Sequence, residues 1–304
     1  MAILVTGGLG FIGSTLVDWL VEECGETDVV VIDNLCSESS NRQYMRSDVT
    51  YHIEDIRNLE VLDFEQTFDV VYHLAALARI QPSFDNPLKY FDIDALGTAK
   101  VLDLARKHRS KVVYAGSSSA YGGPFLNPYA FAKYTGEQVC QMYSEVYGLS
   151  TAVARFFNVY GPRQPTHGGY ATVVGIFERQ KQNGEKLTVT GDGTQRRDFT
   201  HVDDIVRGLV MLSEGRHNAD IYQFGTGINW SINELADLFD GEIEYIPARP
   251  GEADITLADL DETKERLGWS PYFDLESYVS SFLESDTSHL RWRRFVRKEA
   301  RNSA

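Results

Sequence analysis

Cysteine is scarce in this chain. Three occur in 304 residues, Cys24, Cys36 and Cys140, and their scatter gives no metal-ligand spacing. They read as reduced, part-buried thiols of a cytoplasmic protein. Long apolar runs are missing too, so no segment is expected to cross a membrane, and the N-terminus runs into a strand rather than a signal peptide. Basic charge is in deficit. Lys and Arg number 29 against 44 Asp and Glu, a net charge of −15. That balance argues against general nucleic-acid binding, and any anionic ligand has to be met by local positive features. A hydrophobic content of 43% is that of an ordinary soluble globular protein. The length exceeds what one small domain needs, which leaves one large α/β unit or a core with a smaller lobe.

Residues 2–6, Ala-Ile-Leu-Val-Thr, have the unbroken apolar character of a buried parallel strand. Gly7-Gly8-Leu9-Gly10-Phe11-Ile12-Gly13 follows at once, and Leu16, Val17, Leu20 and Val21 then fall at helical spacing. A glycine motif between strand and helix is the context of a dinucleotide fingerprint. The glycines allow a tight turn and close approach of a pyrophosphate, and the helix N-terminus offers free N–H groups to the phosphates. The second strand, 28–33, ends on Asp33. It lies where an acid binds the adenosine ribose hydroxyls and repels a 2′-phosphate, so NAD is expected rather than NADP.

Further strands are expected at 49–53, 70–76 and 111–115. The fourth ends in the small residues Ala75 and Ala76, which leave room for a cofactor, and His73 reads as a packed strand residue. A helix over 90–108 is expected to turn Leu96, Ala99, Val101, Leu102 and Leu104 to the core. Helices are also expected over 172–183, 202–214 and 231–239, the last with Ser231 as N-cap three residues before Glu234. The basic tail, Arg291, Arg293, Arg294, Arg297, Lys298 and Arg301, reads as a solvated helix end or a contact for an acidic partner.

Tyr129 and Lys133 are four apart, which on a helix places them on one face. A nearby cation lowers a phenol pKa, so the pair can act as an acid/base device on an alcohol. By itself such a pair is most often a half-buried tyrosine beside a solvated lysine, and Ser117-Ser118-Ser119 by itself is a polar strand exit.

Taken in order, these stretches resemble an extended short-chain dehydrogenase/reductase of the nucleotide-sugar epimerase and dehydratase group. The resemblance continues through 155–162 (Arg-Phe-Phe-Asn-Val-Tyr-Gly-Pro), 191–199, Arg249-Pro250-Gly251-Glu252 and 267–271. It implies a Rossmann doubly wound parallel sheet with helices on both faces, plus a smaller mixed α/β C-terminal substrate lobe. The first domain would span 1–165 with 200–226 returning to it, and the second 166–199 and 227–304. It implies NAD as cofactor, held by Gly7, Gly10, Phe11, Ile12, Gly13, Asp33, Asn34, Asp55, Ile56, Leu74, Ala75, Ala76, Tyr129 and Lys133. Tyr129 would be the acid/base, Lys133 its activator and Ser117 the catalytic hydroxyl. Ser118, Asn158, Val189, Arg197, Arg249, Glu252 and Thr256 would meet a nucleotide sugar, most simply a UDP-sugar. A homodimer built from helices 90–108 and 130–147 is implied as well.

Dehydratases and decarboxylases of the group usually place an acid just after the catalytic Ser/Thr. Ser118, Ser119 and Ala120 stand there instead, and no Cys/His pair of the GDP-fucose synthase kind follows. The resemblance then points to C4 epimerisation through a transient 4-keto sugar. The expected activity is that of a UDP-hexose 4-epimerase of the UDP-glucose or UDP-N-acetylglucosamine type, with Thr256 at the place that gates sugar size and UDP-glucuronate as the alternative sugar. A reductase, a heptose-type epimerase, a dehydratase or a non-catalytic NAD-binding protein are the alternatives. Two departures stand out. The Ser117–Tyr129 interval is about half the family's usual length, and Asp94 stands where Asn is usual.

Overall fold

The computed structural model describes residues 1–36, 41–62, 64 and 66–284. The basic tail lies outside the described residues.

Alternation within short apolar runs builds the central sheet. Its strands are β1 (Ala2–Thr6), β2 (Asp28–Ile32), β3 (Thr50–His52), β4 (Val70–His73), β5 (Lys111–Ser117) and β6 (Thr151–Phe156). Successive side chains point to opposite faces. Ile3, Val5, Val29, Val31, Val70 and Tyr72 therefore enter one core, and Leu4, Val30, Ile32 and Val71 the other. Both faces are covered, which is why these strands are apolar throughout. Helix α1 (Phe11–Glu22) follows β1. Two short helices, α2 (Gln81–Asp85) and α3 (Pro87–Tyr90), lead to α4 (Thr98–His108), while α5 (Ser118–Gly122) and α6 (Pro128–Tyr147) follow β5.

Beyond β6 the chain forms β7 (Val159–Tyr160), α7 (Val173–Gln182), β8 (Leu187–Thr190), β9 (Arg196–Asp198) and β10 (Thr200–His201). It then returns through α8 (Val202–Ser213) and β11 (Asn218–Phe224). The completed sheet is parallel, with order β3-β2-β1-β4-β5-β6-β11. Strand order reverses beside β1, and in open α/β sheets ligands bind at the carboxyl ends near that point. The remaining elements are β12 (Asn229–Ser231), α9 (Ile232–Leu238), β13 (Ile243–Ile246), α10 (Asp261–Leu267) and α11 (Leu275–Glu284). Ser231 and Glu234 form a reciprocal capping box at the start of α9. A third core gathers Phe177, Leu187, Val189, Leu235, Phe239 and Phe282. No helix among the described residues is long and apolar enough to cross a membrane.

Two expectations change. Residues 91–97 are π-helical, which puts an extra residue into the turn and rotates the helix beyond it. Ile93, Asp94, Gly97 and Thr98 face inward as a result, and Leu96 is 62% exposed rather than part of the apolar side. The lobe boundary also shifts. Ala258, Leu260 and Trp269, expected in the second lobe, pack into the core beside α8. Trp269 stands edge-on to Phe224 and donates its indole N–H to the Asp204 carbonyl at 3.1 Å. The apolar bulk of Trp269 and an indole partner on α8 decide its side.

Candidate active site

The turn from β1 to α1 is a bare cradle. Gly7 has φ +72, and a Cβ there would lie 2.7 Å from the Ala75 nitrogen. A Cβ on Gly13 would lie 2.0 Å from the Gly7 carbonyl oxygen. Gly10 caps α1 with no side-chain acceptor, so the first-turn N–H groups remain for an anion. Asp33 closes the cradle, accepting from the Leu9 and Leu35 amides at 3.0 and 2.8 Å. Asp55 accepts from Asn34 at 2.7 Å, and its pairing with Arg57 holds it at about 2. Glycines that a Cβ would fill, an uncapped helix start and an acid at the next strand end fit a dinucleotide with free ribose hydroxyls.

The cradle opens into a cavity of about 940 Å³. Gly7, Gly10, Phe11, Ile12, Gly13, Asp33, Asn34, Asp55, Ile56, Leu74, Ala75 and Ala76 line one part of it. Ser117, Ser118, Tyr129 and Lys133 line its middle, and Asn158, Arg197, Arg249, Glu252 and Thr256 the part nearer the second lobe.

At the centre the Tyr129 hydroxyl donates to Ser117 Oγ at 3.2 Å. Ser117 ends β5 and caps α5, and Asn127 caps α6 by accepting from the Ala130 amide at 2.8 Å. Those two caps set the helix that bears Tyr129 against the strand that bears Ser117. Burial pushes the Tyr129 phenol up, opposed by its bond to Ser117 and by the Arg79 charge, with Asp94 adding to the rise. The expected cation was Lys133. In the structure Lys133 is buried, its Nζ lies 4.3 Å from the centre of the Tyr114 ring, and burial pulls its pKa down against the charges of Asp94 and Glu137. Arg79 is a further cation whose charge opposes the rise at Tyr129. Asp94 accepts from the Leu77 amide at 2.8 Å, its other oxygen is buried without a hydrogen bond, and burial raises it to about 7. His73 is a packed strand residue, hydrogen-bonded to Thr6 and Thr98.

On the second-lobe side Arg197 pairs with Glu252 at 3.3 Å. Asn158, in strained backbone with φ 26, donates to the Asp198 carbonyl at 2.8 Å and to Thr256 at 3.1 Å. Val189 was expected to face a substrate, but its side chain is fully buried in the third core. Strand alternation turns Thr188 and Thr190 to the cavity in its place. The loop carrying Arg249 and Glu252 is tied over the mouth. Its Pro250 and Gly251 carbonyls accept from Gln81 at 3.0 Å and Asn127 at 2.9 Å. Arg79 went unnoticed in the sequence, although it is the one charged residue between Val70 and Phe84.

The sequence pattern of the NAD dependent epimerase/dehydratase family matches residues 3–225. A protein of Methanocaldococcus jannaschii, provisionally named a UDP-glucose 4-epimerase, is 37% identical over 297 residues, covering 91% of this chain and 95% of that one. UDP-glucuronic acid decarboxylase 6 of Arabidopsis thaliana is 33% identical over 306 residues, 89% of this chain and 84% of that one. The crystal structure of the Thermotoga maritima UDP-glucose 4-epimerase with UDP-glucose superposes with a TM-score of 0.86 at 31% identity, covering 93% and 98%. With the family's pattern spanning the cradle, Ser117, Tyr129 and Lys133, this chain belongs to the NAD dependent epimerase/dehydratase family.

Proposed function

We propose that the protein is an NAD-dependent nucleotide-sugar C4 epimerase. The observation that carries this reading is the Tyr129–Ser117 hydrogen bond in the middle of one cavity, between the glycine cradle and the Arg197–Glu252 pair, with hydroxyls rather than an acid at positions 118 and 119. Gly7, Gly10, Gly13 and the α1 N-terminus would hold the pyrophosphate of NAD, Asp33 the adenosine ribose, and Asp55 and Ile56 the adenine side. NAD held there would supply a reversible hydride acceptor for C4 of the sugar.

The rest is the work of side chains. Tyr129, as phenolate, removes the proton of the 4-hydroxyl, and Ser117 orients that hydroxyl. Arg197 and Arg249 grip the diphosphate while the 4-keto sugar turns about its linkage, so remote binding energy positions the reacting carbon. Glu252 accepts from the nucleotide ribose, Thr188 and Thr190 border the base, and Tyr129 returns the proton. A homodimer through α4 and α6 is part of the same reading. It is supported by Met142, Val146 and Tyr147, which are exposed on α6.

Proton NMR of the purified protein with UDP-glucose, UDP-N-acetylglucosamine or UDP-glucuronate and catalytic NAD⁺ tests the reaction. The 4-epimer should accumulate to equilibrium, and Tyr129→Phe should abolish it. Stoichiometric consumption of reduced cofactor, or loss of water from the sugar, would overturn the reading.

A further inference from the structure

The guanidinium of Arg79, turned to the cavity wall, has no carboxylate to answer it among the described residues. Arg79 lies six residues past the end of β4 and lines the same cavity as Tyr129. Its Nε and Nη2 both donate to the Tyr170 carbonyl, at 2.8 and 2.6 Å. That grip fixes the guanidinium against the wall, and its Nη1 makes no hydrogen bond to the described residues. Other arginines of the interior are paired: Arg197 with Glu252 at 3.3 Å, Arg155 with Glu137 at 2.6 Å and Arg163 with Asp18 at 2.6 Å. Among the described residues Arg79 has no such ion pair. Burial pulls its pKa down, and the groups whose charge it feels are the phenols of Tyr129, Tyr90 and Tyr170 and a further cation, Arg249. A desolvated cation without a counter-ion is costly, and an anion brought by a ligand removes that cost.

The position says which part of the ligand brings it. Arg79 acts on Tyr129, whereas the charges acting on Arg197 are Glu252 and Asp254. Geometry agrees: Tyr90 stands edge-on to Tyr129 with ring centres 6.2 Å apart, and the Leu77 amide, two residues before Arg79, binds Asp94, so Arg79 belongs to the Tyr129 side of the cavity, between Tyr129 and Arg249. The β5 exit also lines this cavity, and its Ser117, Ser118 and Ser119 present hydroxyls that can donate to a carboxylate.

We propose that Arg79 seats a carboxylate carried on the sugar ring, so that the site selects sugar nucleotides of the uronic-acid class over neutral ones. The seat deepens the epimerase reading by naming its substrate class, and as a binding statement it is separable from the chemistry at C4. A planar guanidinium recognises a carboxylate by charge-assisted hydrogen bonds that a neutral hydroxymethyl group cannot match.

The test compares UDP-glucuronate, UDP-glucose and UDP in the full-length protein with NAD⁺. Calorimetry reads binding and proton NMR reads turnover, in wild type, Arg79→Ala and Arg79→Lys, with thermal unfolding to confirm that each variant folds. Wild type should prefer UDP-glucuronate. Arg79→Ala should lower the ratio of UDP-glucuronate to UDP-glucose, in affinity and in kcat/KM, by roughly 30-fold. Arg79→Lys should recover part of that loss. The ratio cancels whatever Arg79 does for the Tyr129 phenol, because both sugars need the same base.

A ratio that moves by less than about threefold would overturn the seat, as would equal weakening of UDP itself, which assigns Arg79 to the diphosphate. If neither sugar turns over but the binding ratio still depends on Arg79, the seat stands and the epimerase reading fails. Formation of a pentose likewise leaves the seat standing and removes the epimerase reading. There a 4-keto uronate breaks its C5–C6 bond, CO₂ leaves, the electron pair passes to the C4 oxygen as an enolate, C5 takes a proton, and the hydride returns to C4.

Discussion

Replacing Asp94 by Asn should stabilise the protein, and by an amount that depends on pH. Asp94 is 1% exposed, with one oxygen on the Leu77 amide and the other without a hydrogen bond. Burial raises its pKa from 3.8 to about 7. The sign depends on which state ionises first. Below pH 3.8 the carboxyl is protonated in both states and nothing is lost. Between 3.8 and 7 the unfolded chain ionises while the folded one stays protonated, so stability falls as pH rises. Above 7 the folded group is charged too and the full penalty applies. At 1.36 kcal/mol per pKa unit that penalty is about 4 kcal/mol at pH 8 and about 1.5 kcal/mol at pH 5.

Asn keeps the acceptor for Leu77 and leaves a polar atom where Oδ2 was, so the comparison isolates the charge. The attraction of Lys133 is already contained in that penalty, and the second polar atom of Asn, buried where Oδ2 was, returns part of the gain. A net gain of about 2–3 kcal/mol at pH 8 is expected, or roughly 3–6 °C in Tm for a chain of this size, shrinking to about 1 kcal/mol or less at pH 5. Thermal unfolding of both proteins at the two pH values checks it. Equal Tm shifts at pH 5 and pH 8, or destabilisation at both, would refute the assignment of a strained buried charge to Asp94.

Removing the Ser117 hydroxyl takes away the hydrogen bond that opposes the rise in the Tyr129 pKa. Ser117→Ala should therefore lower kcat by about 10- to 100-fold and move the acidic limb of the pH–rate profile to higher pH, read from initial rates across pH. Gly13→Ala forces a Cβ to within 2.0 Å of the Gly7 carbonyl oxygen, so NAD affinity by calorimetry should fall below detection or the cradle should lose its fold, visible as a drop in Tm. Arg197→Ala should raise the KM for the nucleotide sugar by roughly 10- to 100-fold and leave NAD affinity unchanged, because Arg197 lies with Glu252 and away from the cradle.

Much of this site could be read without coordinates because its parts are local. A strand, seven residues of glycine-rich turn and a helix are contiguous, so the cradle needs only backbone geometry. Tyr129 and Lys133 share a helix face by spacing alone. The exposure of Leu96 could not be read, because a π turn changes the helical period assumed for residues 90–108. Nor could the side to which Trp269 belongs, since its partners Phe224 and Asp204 come from other elements. Val189 lay in the right strand and pointed the wrong way by one residue.

By itself, then, the sequence determined the fold class, the glycine cradle between β1 and α1, and the helix face that Tyr129 and Lys133 share, since each rests on short-range pattern. Tertiary structure alone decided the electrostatics of the reacting centre. Desolvation and long-range charge act through space, so the rise in the Tyr129 pKa, the lowering at buried Lys133 and the raised pKa of Asp94 exist only once β4, α4 and α6 are packed together.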